Sequence, residues 1–342
     1  MFAYVIMYIV VVVAFLNKEK RFLGEIAFFT LLFFSLFRGE LVGIDTYNAM
    51  KWSTIVNRAT MDFDWTVTRT YEISTNYIYQ LIYYNGFSPR IIIIFYSIIT
   101  FLSLRLSSKR FNVDIATMML IFIVGGAYIY SFNVARQFAS LGLVLYAITY
   151  IYENERLKSL IFFPVILFAI SIHTSSIIFL PFYVFRYIKL KRNIVLGVLF
   201  TVIIGNVIGF FDFKYLINDI LSLETMEAYD DAYGEGLSEV YQRSLFGYLV
   251  MYIALLFQLY TLLRQYALKY TVLVACCISL VVLFGDLDGP LARLFFGAKL
   301  IVLVYMGYYL SNYKDIIFKC LFLIMYSYLF FRGLMDPYYF CF

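Results

Sequence analysis

The chain has 342 residues, of which 63% are hydrophobic and 14% charged, with a formal net charge of +5 and a mean hydropathy of +0.83. A soluble domain is about 45–50% apolar. Here apolar runs approaching the roughly 20 residues of a bilayer span recur from end to end, which excludes a soluble domain, and the runs lack the alternating ten-residue pattern of a membrane barrel.

The expected fold class is therefore an all-α polytopic membrane protein. The first apolar run, Phe2 to Leu16, has no basic stretch before it and no small-residue cleavage site after it, so it is expected to be a retained span rather than a signal peptide. Short basic segments then divide the runs: 17–21, 105–110, 153–158, 186–192, 264–269 and 312–314. The positive balance is thus a topology signal and gives no reason to expect nucleic acid as a partner. Placing every basic segment in the cytoplasm predicts spans at 2–16, 22–38, 89–104, 113–131 and 135–152. A short hairpin follows at 160–187, with its turn at Ser171 to Ser176, and further spans at 194–211, 244–263, 271–285, 292–310 and 316–332. The alternative for 160–187 is one long tilted helix. The hairpin path gives about twelve spans with both ends outside.

Two long polar segments then share the outer face. Residues 39–88 contain two amphipathic stretches suited to the interface, TYNAMKWSTIVNR and YEISTNYIYQLIYYNG. Residues 212–243 carry eight Asp or Glu against Lys214 and Arg243. The many tyrosines suit headgroup depth at span ends, and those in the outer segments could equally stack on sugar faces. There is no internal repeat, so the chain is expected to be a single integral membrane domain. Cys276, Cys277, Cys320 and Cys341 are not spaced as a disulfide framework or metal site, and a single histidine excludes a His-rich metal centre.

Charge at span ends needs explaining in so apolar a chain. The second span is followed by FRGELVGIDTYNAM, which places Arg38 at the lip of a helix, Gly43 at a turn and Asp45 before a helical stretch. Asp45 would cap that helix or act as a proton acceptor. Glu72 opens the second interfacial helix and has the same two readings. Arg136, in SFNVARQFAS, falls in the first turn of the fifth span, after Asn133 as the expected N-cap and before Gln137. A guanidinium beside a helix amino end suits a phosphate; the alternative is snorkelling to lipid headgroups. His173 sits at the hairpin turn, where it would hydrogen-bond neighbouring hydroxyls or act as a base. Asp286 and Asp288 lie before Arg293 in FGDLDGPLARLFF and could pair with it. No Gly-rich nucleotide loop is present, which points away from a cytoplasmic nucleotide-sugar donor.

At these residues the chain resembles the EpsG-like branch of the Wzy polysaccharide polymerases, which build O antigen, capsule or exopolysaccharide. The resemblance is carried by FRGELVGIDTYNAM, by the acidic helix start and Gly in YEISTNYIYQLIYYNGFSPRIIIIFYSIITF, and by the Arg136–Gln137 span leading through a basic loop to the His173 hairpin. It continues through Arg293 in PLARLFFGAKLIVLVY to the terminal DPYYF. It implies a GT-C-like membrane glycosyltransferase at the outer (periplasmic) face of the bacterial cytoplasmic membrane. Such an enzyme transfers an undecaprenyl-diphosphate-linked glycan en bloc onto a new lipid-linked repeat unit, with no cofactor, no metal and a chain-length regulator as protein partner. In that scheme Arg136, Arg293, Arg38 and Gln137 hold the diphosphate, and Asp45, His173 or Glu72 serves the acceptor hydroxyl. The competing classes are a flippase for lipid-linked oligosaccharide, with charges near the midplane and matching halves, an O-antigen ligase, and a non-catalytic scaffold.

Overall fold

The structure is a computed structural model, and it describes residues 2–39, 42–60, 72–207, 245–264, 270–284, 290–312 and 315–335. Every regular element among them is helical. In chain order these are α1 (Phe2–Leu16), α2 (Arg21–Leu36), α3 (Ile44–Met50), α4 (Trp52–Ala59), α5 (Ile73–Asn85), α6 (Arg90–Phe111), α7 (Ile115–Val124), α8 (Ala127–Asn133), α9 (Ala135–Ile148), α10 (Arg156–Ser159) and α11 (Phe162–Ile172). A 3-10 segment (Thr174–Arg186) follows, then α12 (Arg192–Val207), α13 (Leu245–Arg264), α14 (Thr271–Phe284), α15 (Pro290–Asn312) and α16 (Ile316–Met335). The acidic segment 212–243, Asp286, Asp288, Cys341 and the terminal DPYYF lie outside the described residues.

The chain divides into two compact units, residues 1–186 with 303–342, and residues 187–302. In the smaller unit α14 packs against both α12 and α13, and Val195 and Leu199 of α12 are buried. The larger unit contains the candidate site. At its centre α6 lies against α9, which in turn carries α11. The α6–α9 seam uses small residues: Thr100 and Ser103 on α6 approach Gly142 on α9, and all three are buried. A Cβ added at Gly142 would come within 3.1 Å of the Ser103 side chain. In an apolar solvent helices gain little from burying apolar surface, so close approach over small residues is what joins them.

The outward faces are apolar too. On α1, Met7, Val11 and Ala14 are buried, while Phe2, Ile6, Ile9, Val13 and Leu16 are exposed; on α2, Phe22, Ile26, Phe29, Phe33 and Phe37 are exposed. Helices apolar on both packed and outward faces belong in an apolar surrounding, consistent with a membrane protein. Among the described residues α6 is long and apolar enough to cross a bilayer alone, and the α7–α8 pair is a second if taken together; the shorter apolar helices run 10–17 residues.

Two expectations need correction. The stretch expected as one span over 113–131 is broken at Gly125 and Gly126 and bends by 61°, with Gly126 at φ +76. Asn133 consequently ends α8 instead of capping α9, whose N-cap position is Val134. Likewise α3 begins at Ile44 with Gly43 at the N-cap position, so Asp45 lies within the first turn and is not the cap. Gly43 is required there: its φ is +90, and a Cβ would collide with the backbone carbonyl of Phe132 on α8.

Residues 160–187 form two arms packed on each other, α11 and the 3-10 segment. Tyr183 of the returning arm lies against Phe163 with the rings tilted and their centroids 4.7 Å apart, and its hydroxyl is 2.8 Å from that of Ser159.

The basic segments of the larger unit gather at one end. Arg105 pairs with Glu25 at 2.5 Å. Arg110 pairs with Glu153 and lies over the Tyr150 ring at 3.8 Å. Arg186 donates to the carbonyls of Ile151 and Glu153 at 2.8 and 2.7 Å, and Lys18 to those of Leu310 and Ser311 at 3.2 and 2.5 Å. Arg110 also donates to Thr149 at 2.8 Å, at the carboxyl end of α9. Arg136 is thirteen residues away at the other end, about 20 Å along the helix axis.

Candidate functional site

At that opposite end four elements meet on one carboxylate. Glu72 occupies the N-cap position of α5, yet its side chain makes no capping hydrogen bond. It turns to three cationic or titratable partners. Arg136, in the first turn of α9, donates from Nη1 to Glu72 Oε2 at 2.5 Å. Arg58, in the last turn of α4, donates to the same oxygen at 3.3 Å. His173, where α11 ends, places Nδ1 2.6 Å from Oε1. Glu72 is buried, while the side chains of Arg58, Arg136 and His173 keep 21%, 26% and 25% of their exposure, so the acid is the floor and the bases are the rim.

The packing below explains the geometry. Ile55 of α4, Ile78, Tyr79 and Ile82 of α5, Ile92 and Tyr96 of α6, Ala135 and Ala139 of α9 and Ile172 of α11 form one buried cluster. Polar contacts set its register. Thr75 donates to the Ile172 carbonyl at 2.9 Å and receives the Tyr96 hydroxyl at 3.1 Å. Ser74 and Ser171 share a hydrogen bond of 2.7 Å. Ser140 of α9 donates to the Ala169 carbonyl at 2.8 Å and contacts Ser176 in the 3-10 segment. These ties hold α5, α9 and the hairpin at fixed positions, so Glu72, Arg136 and His173 meet without relying on their own attraction.

The electrostatics follow. Burial alone would raise the Glu72 pKa, but Arg136, then the His173 hydrogen bond and ring, then Arg58 overcome it and hold it down at about 2. Glu72 is therefore ionised and can only accept hydrogen bonds. His173 Nδ1 must be the donor to it, so in the neutral ring Nε2 carries the lone pair. Among the described residues Nε2 makes no hydrogen bond. Among the described residues, the two guanidinium charges and the one carboxylate of this group sum to +1 with His173 neutral. The assembly has a fixed imidazole acceptor, and a surplus of positive charge beside the amino end of α9, whose dipole adds to it.

Of the residues singled out from sequence, Glu72, Arg136 and His173 come together. Gln137, next to Arg136, is buried. Arg38 sits at the junction of α2, α3, α6 and α8: it donates to Thr46 at 2.9 Å, to the Ser35 carbonyl at 3.0 Å and to Ser97 at 3.3 Å, with the Phe132 ring 4.6 Å beneath it. It is buried and is not among the partners of Glu72. The side chains of Asp45 and Arg293 lie outside the described residues. Arg58 was not singled out. The signal available was a cation closing the amphipathic stretch TYNAMKWSTIVNR, fourteen residues before Glu72. Among the described residues no three His, Cys, Asp or Glu side chains gather as a metal-ligating group.

Comparison with curated proteins and with solved structures finds no match. The model of the EpsG family matches residues 21–342, which takes in every residue of the Glu72 group. The chain belongs to the EpsG family.

Proposed function

We propose that this chain is a surface-polysaccharide polymerase that transfers an undecaprenyl-diphosphate-linked glycan en bloc onto the non-reducing end of a lipid-linked repeat unit. Membership of the EpsG family suggests a polymerase-type glycosyltransferase. The observation that carries the finer reading is the Arg136–Glu72–His173 group, set at the end of the bundle opposite the basic segments. With the basic segments of the larger unit read as cytoplasmic, the topology proposed from the sequence would put that group at the outer face of the bacterial cytoplasmic membrane, with Arg58 and Glu72 within the outer segment 39–88. A flippase would instead carry its charges near the midplane.

In this reading His173 Nε2 takes the proton from the acceptor hydroxyl as its oxygen attacks the anomeric carbon of the donor. The bond from that carbon to the diphosphate oxygen breaks, and its electron pair leaves with undecaprenyl diphosphate. Glu72 holds the imidazole in the required tautomer, a positioning role, since a carboxyl with so low a pKa is a poor base. Arg136 meets the charge that develops on the leaving diphosphate, and we assign Arg293 to the same task from its place in the sequence. Arg38 is assigned to holding the α2–α3–α6–α8 junction. A separate chain-length regulator is the proposed protein partner. The test is Arg136→Ala in a strain whose only polymerase is this chain. The expected result is surface glycan of single repeat units with the protein present at its normal level. Full-length polymer from a normally expressed Arg136→Ala variant would overturn the assignment.

A further inference from the structure

The Arg58 guanidinium is held within the group through one of its three nitrogens. Nη1 does all the bonding within the group, to Glu72 Oε2 at 3.3 Å and to Asn76 Oδ1 at 3.4 Å. The Tyr79 ring lies 5.6 Å beneath the guanidinium, fixing its plane. Among the described residues Nε and Nη2 make no hydrogen bond, and the side chain is 21% exposed. Both long contacts are at the outer limit of a hydrogen bond, whereas Arg136 holds the same carboxylate oxygen at 2.5 Å. One negative charge thus serves two arginines, and Arg136 takes the larger share.

We infer that Arg58 is a further diphosphate-binding residue, presenting its Nε and Nη2 pair to two oxygens of one phosphate while Arg136 meets the other. A paired N–H edge matches phosphate geometry in a way that an ammonium does not. Asn76 and Tyr79 lie on α5, one and two turns beyond Glu72, so the same helix that positions the carboxylate also aims the arginine. This rests on the polymerase reading and names the residues of its diphosphate site. Phosphate oxygens also occur on anionic lipid headgroups, so the test separates the two sources.

The experiment uses the full chain in detergent and in nanodiscs, as wild type, Arg58→Gln and Arg58→Lys. Inorganic pyrophosphate and farnesyl diphosphate are titrated calorimetrically, and phosphatidylglycerol is titrated in parallel. The expected result is about 10–100-fold weaker diphosphate binding in Arg58→Gln, the range for losing charged hydrogen bonds, with Arg58→Lys recovering only part because it lacks the paired edge. Phosphatidylglycerol binding should not change. In turnover, Arg58→Gln should raise KM for the lipid-linked donor with little change in kcat. Unchanged pyrophosphate binding in Arg58→Gln, or a loss shared equally with phosphatidylglycerol, would overturn the inference and leave the polymerase reading standing. A wild type that neither binds pyrophosphate nor depends on Arg136 for polymer would instead overturn the polymerase reading itself.

Discussion

Glu72→Gln is the most informative single substitution because it changes charge and hydrogen-bond polarity while keeping shape. The Glu72 pKa is held at about 2, well below the ordinary glutamate value of 4.5, and at 1.36 kcal/mol per pH unit this is about 3 kcal/mol. The sign is that of a carboxylate stabilised by the fold. Its contribution is fully present above pH 4.5 and is lost as pH falls through about 2. Wild type should therefore be more stable than Glu72→Gln by up to about 3 kcal/mol at pH 7, with the gap closing between pH 4.5 and 2. Thermal unfolding of the two proteins in the same detergent across that range reads the difference. The activity consequence is separate. The Gln carbonyl must face Arg136 and Arg58, because an amide NH2 cannot meet their donors. The NH2 then faces His173, so Nδ1 must accept and the proton moves to Nε2. Loss of the base should cost about 10²–10⁴-fold in rate. Equal stability at pH 7 together with near-normal polymer would refute the whole chain of reasoning, from the ionised carboxylate to the tautomer.

Other outcomes can be checked independently. His173→Asn, which keeps a donor for Glu72 but removes the base, should retain pyrophosphate binding and lose polymerisation by about 10²-fold or more; a variant still making normal polymer would remove His173 from the mechanism. Gly43→Ala should destabilise the protein by about 2 kcal/mol or more, from positive φ and the collision with Phe132, seen as lower yield and a lower Tm; wild-type behaviour would mean that α3 does not rest on α8 as described. Asp45→Asn removes any proton-accepting role at that position with little change in shape, so normal polymer from it would leave His173 as the base. With the native cysteines replaced by serine, Ser88→Cys should react with an impermeant maleimide in intact cells and Glu155→Cys only after permeabilisation; the reverse pattern would invert the proposed topology.

Helix positions were largely legible in the sequence, because apolar runs and basic turns report them directly: the runs expected at 2–16, 22–38 and 271–285 correspond to α1, α2 and α14. Caps were less so. Asn133 read as a cap for α9, but the Gly125–Gly126 break lets 127–133 coil separately and absorbs Asn133 as its last residue. Asp114 caps α7, accepting from the Thr117 amide at 2.8 Å, and Asp315 likewise accepts from the Phe318 amide at 2.9 Å. A short polar side chain marks a helix start only if the preceding segment is not itself helical, and one-dimensional reading cannot see the bend. The parts of the site were visible singly, as charges too costly to place in a membrane without reason. Their meeting was not, since Glu72 lies 64 residues from Arg136 and 101 from His173, and only the packing of α5, α9 and α11 brings them together.

That packing also rules out the side-chain capping reading of the helix-opening acid Glu72. A capping Glu72 would satisfy its own helix and leave Arg136 and His173 to find other partners. The structure spends the carboxylate on other elements instead and leaves the α5 amino end without a side-chain cap. A missing cap costs about 1 kcal/mol, less than the roughly 3 kcal/mol gained by the ion group, so the exchange is favourable for folding alone. Stability alone, however, would be served by one arginine of matching charge. The second arginine and the histidine add positive charge and an oriented lone pair beyond what neutrality requires. In the proposed reaction that surplus would meet an incoming anion and a hydroxyl proton, and on this ground we assign the group to the reaction rather than to a buried clasp.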